Sequence, residues 1–116
     1  MAGPDLDAVE ARLAGILDLY RPELVDGTIY GLPSLVWPGS GGHAYFAALK
    51  RARRHVGLYL IIAARYPEDV ALASPALQAC RTGRATWSFT TLDDHLADEL
   101  EALLDRLLVR YRAEHA

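Results

Sequence analysis

Apolar residues recur at helical spacing near both ends of the chain. Asp5 is placed to cap a first helix whose apolar stripe stops at Arg21-Pro22 and consists of Leu6, Val9, Leu13, Ile16, Leu17 and Tyr20. A longer helix is predicted from Asp93 or Asp94 toward Ala113. Its buried face is formed by Leu96, Leu100, Leu103, Leu104, Leu107 and Tyr111, and is widened by Leu108 and Val109. Each helix therefore has one side that must pack against another layer.

Alternating apolar and polar positions between these helices predict strands. The predicted strands cover residues 28–31, 34–37, 45–50, 55–60 and 86–89. Ser74-Pro75 supplies a cap and a first-turn proline for a short helix through Cys80. The predicted fold class is α+β, with the N- and C-terminal helices packed on one face of an antiparallel sheet of about five strands and a short helix before the last strand. Because no repeat or linker interrupts the pattern, residues 1–116 are expected to form a single domain.

The two central strands are joined by a basic loop. If this loop holds residues 51–54, Lys50 lies opposite His55, and Phe46 lies opposite Tyr59. One face of the hairpin then gathers two aromatic rings, an amine and an imidazole beside the basic tip. The other face is aliphatic and suited to a core.

Composition narrows the class of protein. Of the 116 residues, 52% are hydrophobic and 23% charged, which is typical of a globular protein and not of a disordered one. A net charge of −3 argues against a general nucleic-acid binder. The single cysteine excludes an internal disulfide and fits a reducing cytoplasm. Acidic residues stand where a signal peptide needs positive charge, and the longest apolar run, residues 56–64, is too short to span a bilayer. We therefore expect a cytoplasmic protein with no nucleic-acid or membrane partner.

The chain resembles the YdhG-like domain family in four phrases. In chain order these are IYGLP at residues 29–33, YFAALK at 45–50, VGLY at 56–59, and TGRATWSF at 82–89 followed by LDD at 92–94. The resemblance runs from about Leu24 to Leu108. It implies a frataxin-like fold, in which two helices pack on an antiparallel sheet. One branch of this mostly uncharacterised family is described as an iron chaperone.

The chain departs from the family pattern at two basic positions. The family usually has a lysine-x-histidine at the hairpin, whereas Lys50 and His55 are separated here by four residues. Either Lys50 or Arg53 therefore occupies the place of the family's lysine. The family's glycine-lysine pair is Gly83-Arg84 in this chain, and an arginine fork makes different contacts from a lysine point charge.

Clustered basic residues suggest an anion site on the hairpin. Four of the chain's twelve Lys and Arg residues lie within residues 50–54. The candidate ligand-binding residues are Tyr30, Phe46, Lys50, Arg53, His55, Tyr59 and Arg84. Together they are expected to bind a phosphate or a carboxylate, with the rings as an apolar floor. The alternative is a solvated loop beside ordinary sheet residues.

An acidic stripe on the C-terminal helix suggests a second, alternative site. Its four carboxylates share one helix face and belong to Asp94, Asp98, Glu101 and Asp105. Hard cations prefer such oxygen ligands, so iron is the cofactor of this alternative. A solvated helix face and a favourable helix N-terminus explain the same residues without a metal.

The sequence favours a binding protein over an enzyme, because no nucleophile, base and orienting group can be assembled from it. Cys80, beside Arg81, is either a thiol of lowered pKa or a small buried filler. We expect a non-enzymatic module that binds a small anionic molecule or a protein partner on the hairpin face. One alternative is a frataxin-like iron carrier. The other is a dimerising structural module, in which a second copy covers exposed groups such as Phe46 and Trp37.

Overall fold

The computed structural model describes residues 5–41 and 44–115. In these residues the chain has an α+β fold with four α-helices and six strands. In order they are α1 (Leu6–Asp18), β1 (Val25–Ile29), β2 (Leu32–Val36), β3 (Tyr45–Arg51), β4 (Val56–Tyr59), α2 (Pro67–Val70), α3 (Pro75–Ala79), β5 (Arg81–Gly83), β6 (Thr86–Phe89) and α4 (Asp94–His115). A short 3-10 helix, Ile61–Ala64, links β4 to α2.

The strands form one antiparallel sheet in the order β1-β2-β3-β4-β6-β5. The predicted antiparallel sheet is confirmed, but it has six strands rather than about five. The additional strand is β5, only three residues long, which pairs with β6. The first strand begins at Val25 instead of residue 28 because Val25 pairs with Val36 of β2. That pairing overrides the low strand propensity of Asp26 and Gly27.

Side-chain hydrogen bonds cap the N-termini of α1, α3 and α4. The carboxylate of Asp5 accepts the Ala8 N–H at 3.1 Å, as predicted for α1. The Ser74 hydroxyl accepts the Leu77 N–H at 3.3 Å at the start of α3. Asp93 accepts the Leu96 N–H at 2.8 Å, so it is the cap and α4 begins at Asp94.

One hydrophobic core joins α1 and α4 to a single face of the sheet. The largest fully buried side chains are Trp87, Tyr111, Phe46 and Phe89. The predicted buried face of α4 is confirmed for Leu100, Leu103, Leu104 and Leu107, none of which is exposed. Val109 was expected to widen that face, but its side chain is 60% exposed. The core therefore fixes which side of the sheet remains for binding.

Candidate functional site

A cleft of about 340 Å³ lies on the face of the sheet opposite α1 and α4. Leu49 and Leu58 belong to the core, so the alternate positions Ala48, Lys50 and Tyr59 point to the other side. The cleft is lined by Ile29, Tyr30, Leu32, Tyr45, Ala48, Lys50 and Tyr59. Among the residues that the structure describes, its walls thus combine three phenol groups, aliphatic side chains and one cationic side chain.

A β-bulge decides which aromatic residue of β3 reaches the cleft. Leu35 pairs with Ala47, while the next residue, Val36, pairs with Tyr45, so Phe46 has no pairing position on β2. The extra residue reverses the alternation, and Tyr45 lines the cleft. Phe46 is 0% exposed. Its ring packs in the core against the rings of Tyr20 and Tyr111, at centroid distances of 5.9 and 5.2 Å. The prediction that Phe46 shares a face with Lys50 and Tyr59 is therefore wrong, and Tyr45 takes its place.

The pairing of β3 with β4 also differs from the prediction. Lys50 lies opposite Gly57 rather than His55, and Tyr59 lies opposite Ala48 rather than Phe46. The register has moved by two residues because β3 continues to Arg51 and the tight turn falls later. The Ala52 N–H closes that turn by donating to the His55 carbonyl at 2.9 Å. A shift of two residues preserves the faces, so Lys50 and Tyr59 still lie on the same side.

Gly57 seats the ring of Tyr59 in the cleft wall. A Cβ built on Gly57 would lie 3.5 Å from Cε2 and 3.7 Å from Cζ of Tyr59. The phenol ring therefore covers the position where a side chain opposite Lys50 would project. The absence of a side chain at Gly57 thus leaves the space beside the Tyr59 ring open.

The rest of the basic hairpin tip does not line the cleft. Arg51 turns to the helical side and forms ion pairs with Asp7 at 2.7 Å and Glu10 at 3.2 Å. Arg53 is exposed at the tip, and His55 is half-buried beside it. Neither is among the described residues that line the cleft.

Arg84 is also separate from the cleft. It lies in the turn between β5 and β6 and, with Pro67, Arg81 and Gly83, lines another recess. Its carbonyl accepts a hydrogen bond from the Arg81 guanidinium at 2.6 Å. Of the seven candidate residues, the structure brings Tyr30, Lys50 and Tyr59 together at the cleft. It leaves Phe46, Arg53, His55 and Arg84 outside it.

The cleft is electrostatically simple. Burial raises the pKa of the Tyr45 phenol, and the neighbouring phenols of Tyr30 and Tyr59 raise it further. Tyr45 therefore keeps its proton at neutral pH and can donate a hydrogen bond to a ligand. Lys50 forms no ion pair with any residue that the structure describes, and no acidic side chain is among the described lining residues. The positive charge is available to an incoming anion.

Two members of the acidic stripe have contacts within the protein. Asp94 pairs with Arg12 at 2.6 Å, and Asp105 accepts a hydrogen bond from the Tyr20 hydroxyl at 2.9 Å. Asp98 is exposed and Glu101 is partly buried on the same helix. Within residues 5–41 and 44–115, no group of three or more His, Cys, Asp and Glu side chains is placed to hold a metal ion.

Cys80 is half-buried after α3, and its Sγ lies 3.6 Å from the Ala76 carbonyl oxygen. Burial raises the pKa of the thiol. The alternative in which Arg81 lowers that pKa is wrong, because the Arg81 guanidinium instead lies over the Trp87 ring, 5.4 Å from its centroid.

The two residues that the sequence suggested as exposed dimer contacts, Phe46 and Trp37, are not exposed apolar groups. Phe46 belongs to the core, and Trp37 is half-buried. The Trp37 ring stacks on His115 at 5.4 Å and meets Tyr111 edge-on at 6.2 Å. A dimer through Phe46 and Trp37, as the sequence suggested, would require these contacts to open.

Comparison of the chain with protein-family models, curated proteins and solved structures finds no match. Among the described helices, none combines the length and the apolar character needed to cross a membrane.

Proposed function

We propose that this protein is a non-enzymatic binding module that holds a small monoanion, such as a carboxylate with an apolar body, in the cleft around Lys50. The observation that carries the proposal is an exposed lysine, Lys50, that lines a cleft of aromatic and aliphatic side chains with no acidic side chain among the described lining residues. Charge-assisted hydrogen bonds from Lys50 would hold the anionic head. Apolar walls with a few placed polar groups are the usual composition of small-molecule sites.

The cleft favours a monoanion over a phosphate ester. Lys50 is the single cation among the described residues that line the cleft, since Arg51 is paired with α1 and Arg84 lines another recess. A phosphate dianion would leave one of its charges without a partner in such a site. A carboxylate matches one ammonium group, and the proton of Tyr45 supplies a second contact.

The family relationship and the cellular location of the protein are also proposals. We infer a YdhG-like relationship and a frataxin-like arrangement from the four sequence phrases, together with α1 and α4 on one face of the sheet. The lone cysteine supports a cytoplasmic location. We do not carry iron binding forward, because Asp94 and Asp105 already contact Arg12 and Tyr20.

The test is titration of the protein with cyclohexanecarboxylate and with its neutral amide, followed by backbone NMR shifts. We expect the carboxylate to shift the amides of β3 and β4, and the neutral amide to bind more weakly. Lys50→Gln should weaken carboxylate binding roughly three- to tenfold, between the values for exposed ion pairs and for charged hydrogen bonds.

Two variants serve as matched controls. Arg53→Gln removes the same charge three residues away at the exposed tip, and Arg84→Gln removes it at the other recess. Both should bind the carboxylate as the parent does. If the parent shows no saturable shift, or if all three variants lose affinity equally, the cleft around Lys50 is not a binding site.

A further inference from the structure

The turn between β1 and β2 holds a large aromatic residue in an unusual backbone conformation. Ile29 pairs with Leu32 across a two-residue turn made of Tyr30 and Gly31. Both turn residues have positive φ, 51° at Tyr30 and 76° at Gly31, as in a type I′ hairpin turn. Asparagine, aspartate and glycine are the residues that suit the first of these positions, and a tyrosine there is strained.

Burial in the core does not compensate this strain. The Tyr30 residue is 86% exposed, the largest exposed fraction among the bulky apolar residues of the described chain. Its side chain nevertheless lines the cleft. The phenol also lies close enough to Tyr45 to raise the pKa of that residue. Tyr30 thus forms the solvent-side wall of the cleft, and its ring would lose solvent exposure on ligand binding.

We propose that Tyr30 is a specificity-determining residue of the cleft and that the ligand is an aromatic monoanion, whose ring packs against Tyr30 while its carboxylate meets Lys50. This inference rests on the proposed function and adds to it the class of the ligand. Residues in sparsely populated backbone regions are found preferentially at ligand sites. Tyr45 and Tyr59 supply further rings around the same space. Aromatic rings attract one another beyond the effect of buried area, so a planar ligand gains more here than a saturated one.

The experiment compares benzoate with cyclohexanecarboxylate, which have the same charge and nearly the same size. On the parent protein, NMR titration should give benzoate the higher affinity, by roughly two- to tenfold. Tyr30→Asn places a residue that tolerates positive φ in the turn and removes the ring. We expect this variant to lose the preference for benzoate, while its melting temperature stays the same or rises. Tyr30→Phe keeps the ring and should keep the preference.

Leu72→Asn is the control, since Leu72 is a 68% exposed apolar residue outside the cleft lining. It should leave both affinities unchanged. Equal binding of the two carboxylates by the parent, or an undiminished preference in Tyr30→Asn, would overturn the role of Tyr30 and the aromatic ligand class. That result would leave the Lys50 site standing. Failure of both carboxylates to bind the parent would instead overturn the proposed function itself.

Discussion

At the scale of single residues, backbone conformation distinguishes two glycines that both have free space where a side chain would project. Gly15 lies in the exposed middle of α1, and Gly31 lies in the turn after β1. A Cβ on either residue would meet nothing within 4 Å. They differ in φ, because Gly31 is at 76° and Gly15 is helical. Both positions therefore have room for a methyl group, and only the backbone conformation distinguishes them, because L-residues rarely adopt the positive φ of Gly31.

This difference predicts opposite effects of the same substitution. Gly15→Ala should stabilise the protein by about 0.5–1 kcal/mol, because alanine loses less backbone freedom than glycine in a helix. Gly31→Ala should destabilise it by about 1 kcal/mol or more, because an L-residue is strained at positive φ. Urea unfolding of the two variants checks both signs. Two changes in the same direction would contradict this account of the turn.

Single residues also show which parts of the candidate site strand periodicity can predict and which it cannot. Strand periodicity identifies Lys50 and Tyr59 as neighbours on one face, and a register shift of two residues leaves that relation intact. Periodicity cannot locate a bulge, so it assigns Phe46 to the face that Tyr45 occupies. The sequence can still distinguish the two aromatic residues by their polarity. A phenylalanine suits the core better than a tyrosine does, whose hydroxyl needs a polar surrounding.

At the scale of elements, the long helix α4 is the most predictable part of the fold. Its leucines repeat at helical spacing, and Asp93 caps its start within one residue of the predicted boundary. The short strand β5 is the opposite case. Its three residues, Arg81–Gly83, lack an alternating pattern and are held by pairing with β6. A helix whose own sequence carries the apolar pattern can be predicted. A strand that depends on pairing with a neighbouring strand cannot be predicted from its own residues.

The two sides of α4 give a matched stability test. Leu104 is fully buried, whereas Val109 is 60% exposed on the same helix. Leu104→Ala should cost roughly 2–5 kcal/mol through lost burial and the cavity left behind. Val109→Ala should change the unfolding free energy by less than about 0.5 kcal/mol, as is usual for exposed positions. Chemical denaturation measures both. A small effect at Leu104 would mean that the assigned core face of α4 is wrong.

At the scale of the whole molecule, ion pairs connect the C-terminal half of α4 to distant segments. Arg112 forms a fork with Glu23, which precedes β1, at 2.5 and 2.7 Å. Glu114 accepts two hydrogen bonds from Arg65, at 3.1 and 2.7 Å, and one from Tyr66 at 2.9 Å. These contacts join parts of the chain that are 48 to 89 residues apart in sequence. They add a charge-dependent contribution to a fold otherwise held by its apolar core.

The carboxylates of these pairs predict a specific response to acid. Hydrogen bonding to Arg112 lowers the pKa of Glu23, and hydrogen bonding to Arg65, with a further bond from Tyr66, lowers the pKa of Glu114. In the unfolded chain both return to the ordinary value of about 4.3. Above that value both states are ionised and the stabilisation is complete. As pH falls below it, the unfolded state binds protons first, so stability decreases through the folded-state pKa values.

Unfolding free energies at pH 6 and pH 3.5 should therefore differ less in the double variant Glu23→Gln, Glu114→Gln than in the parent. The single variant Glu99→Gln is the control, because Glu99 lies on the same helix and forms no ion pair with the described residues. It should keep the acid response of the parent. Both carboxylates are partly solvent-accessible, with 36% of the Glu23 side chain and 27% of the Glu114 side chain exposed, so salt should weaken the effect in the parent as it screens the pairs. An acid response that is identical in the parent and the double variant would show that these pairs do not stabilise α4 against the rest of the molecule.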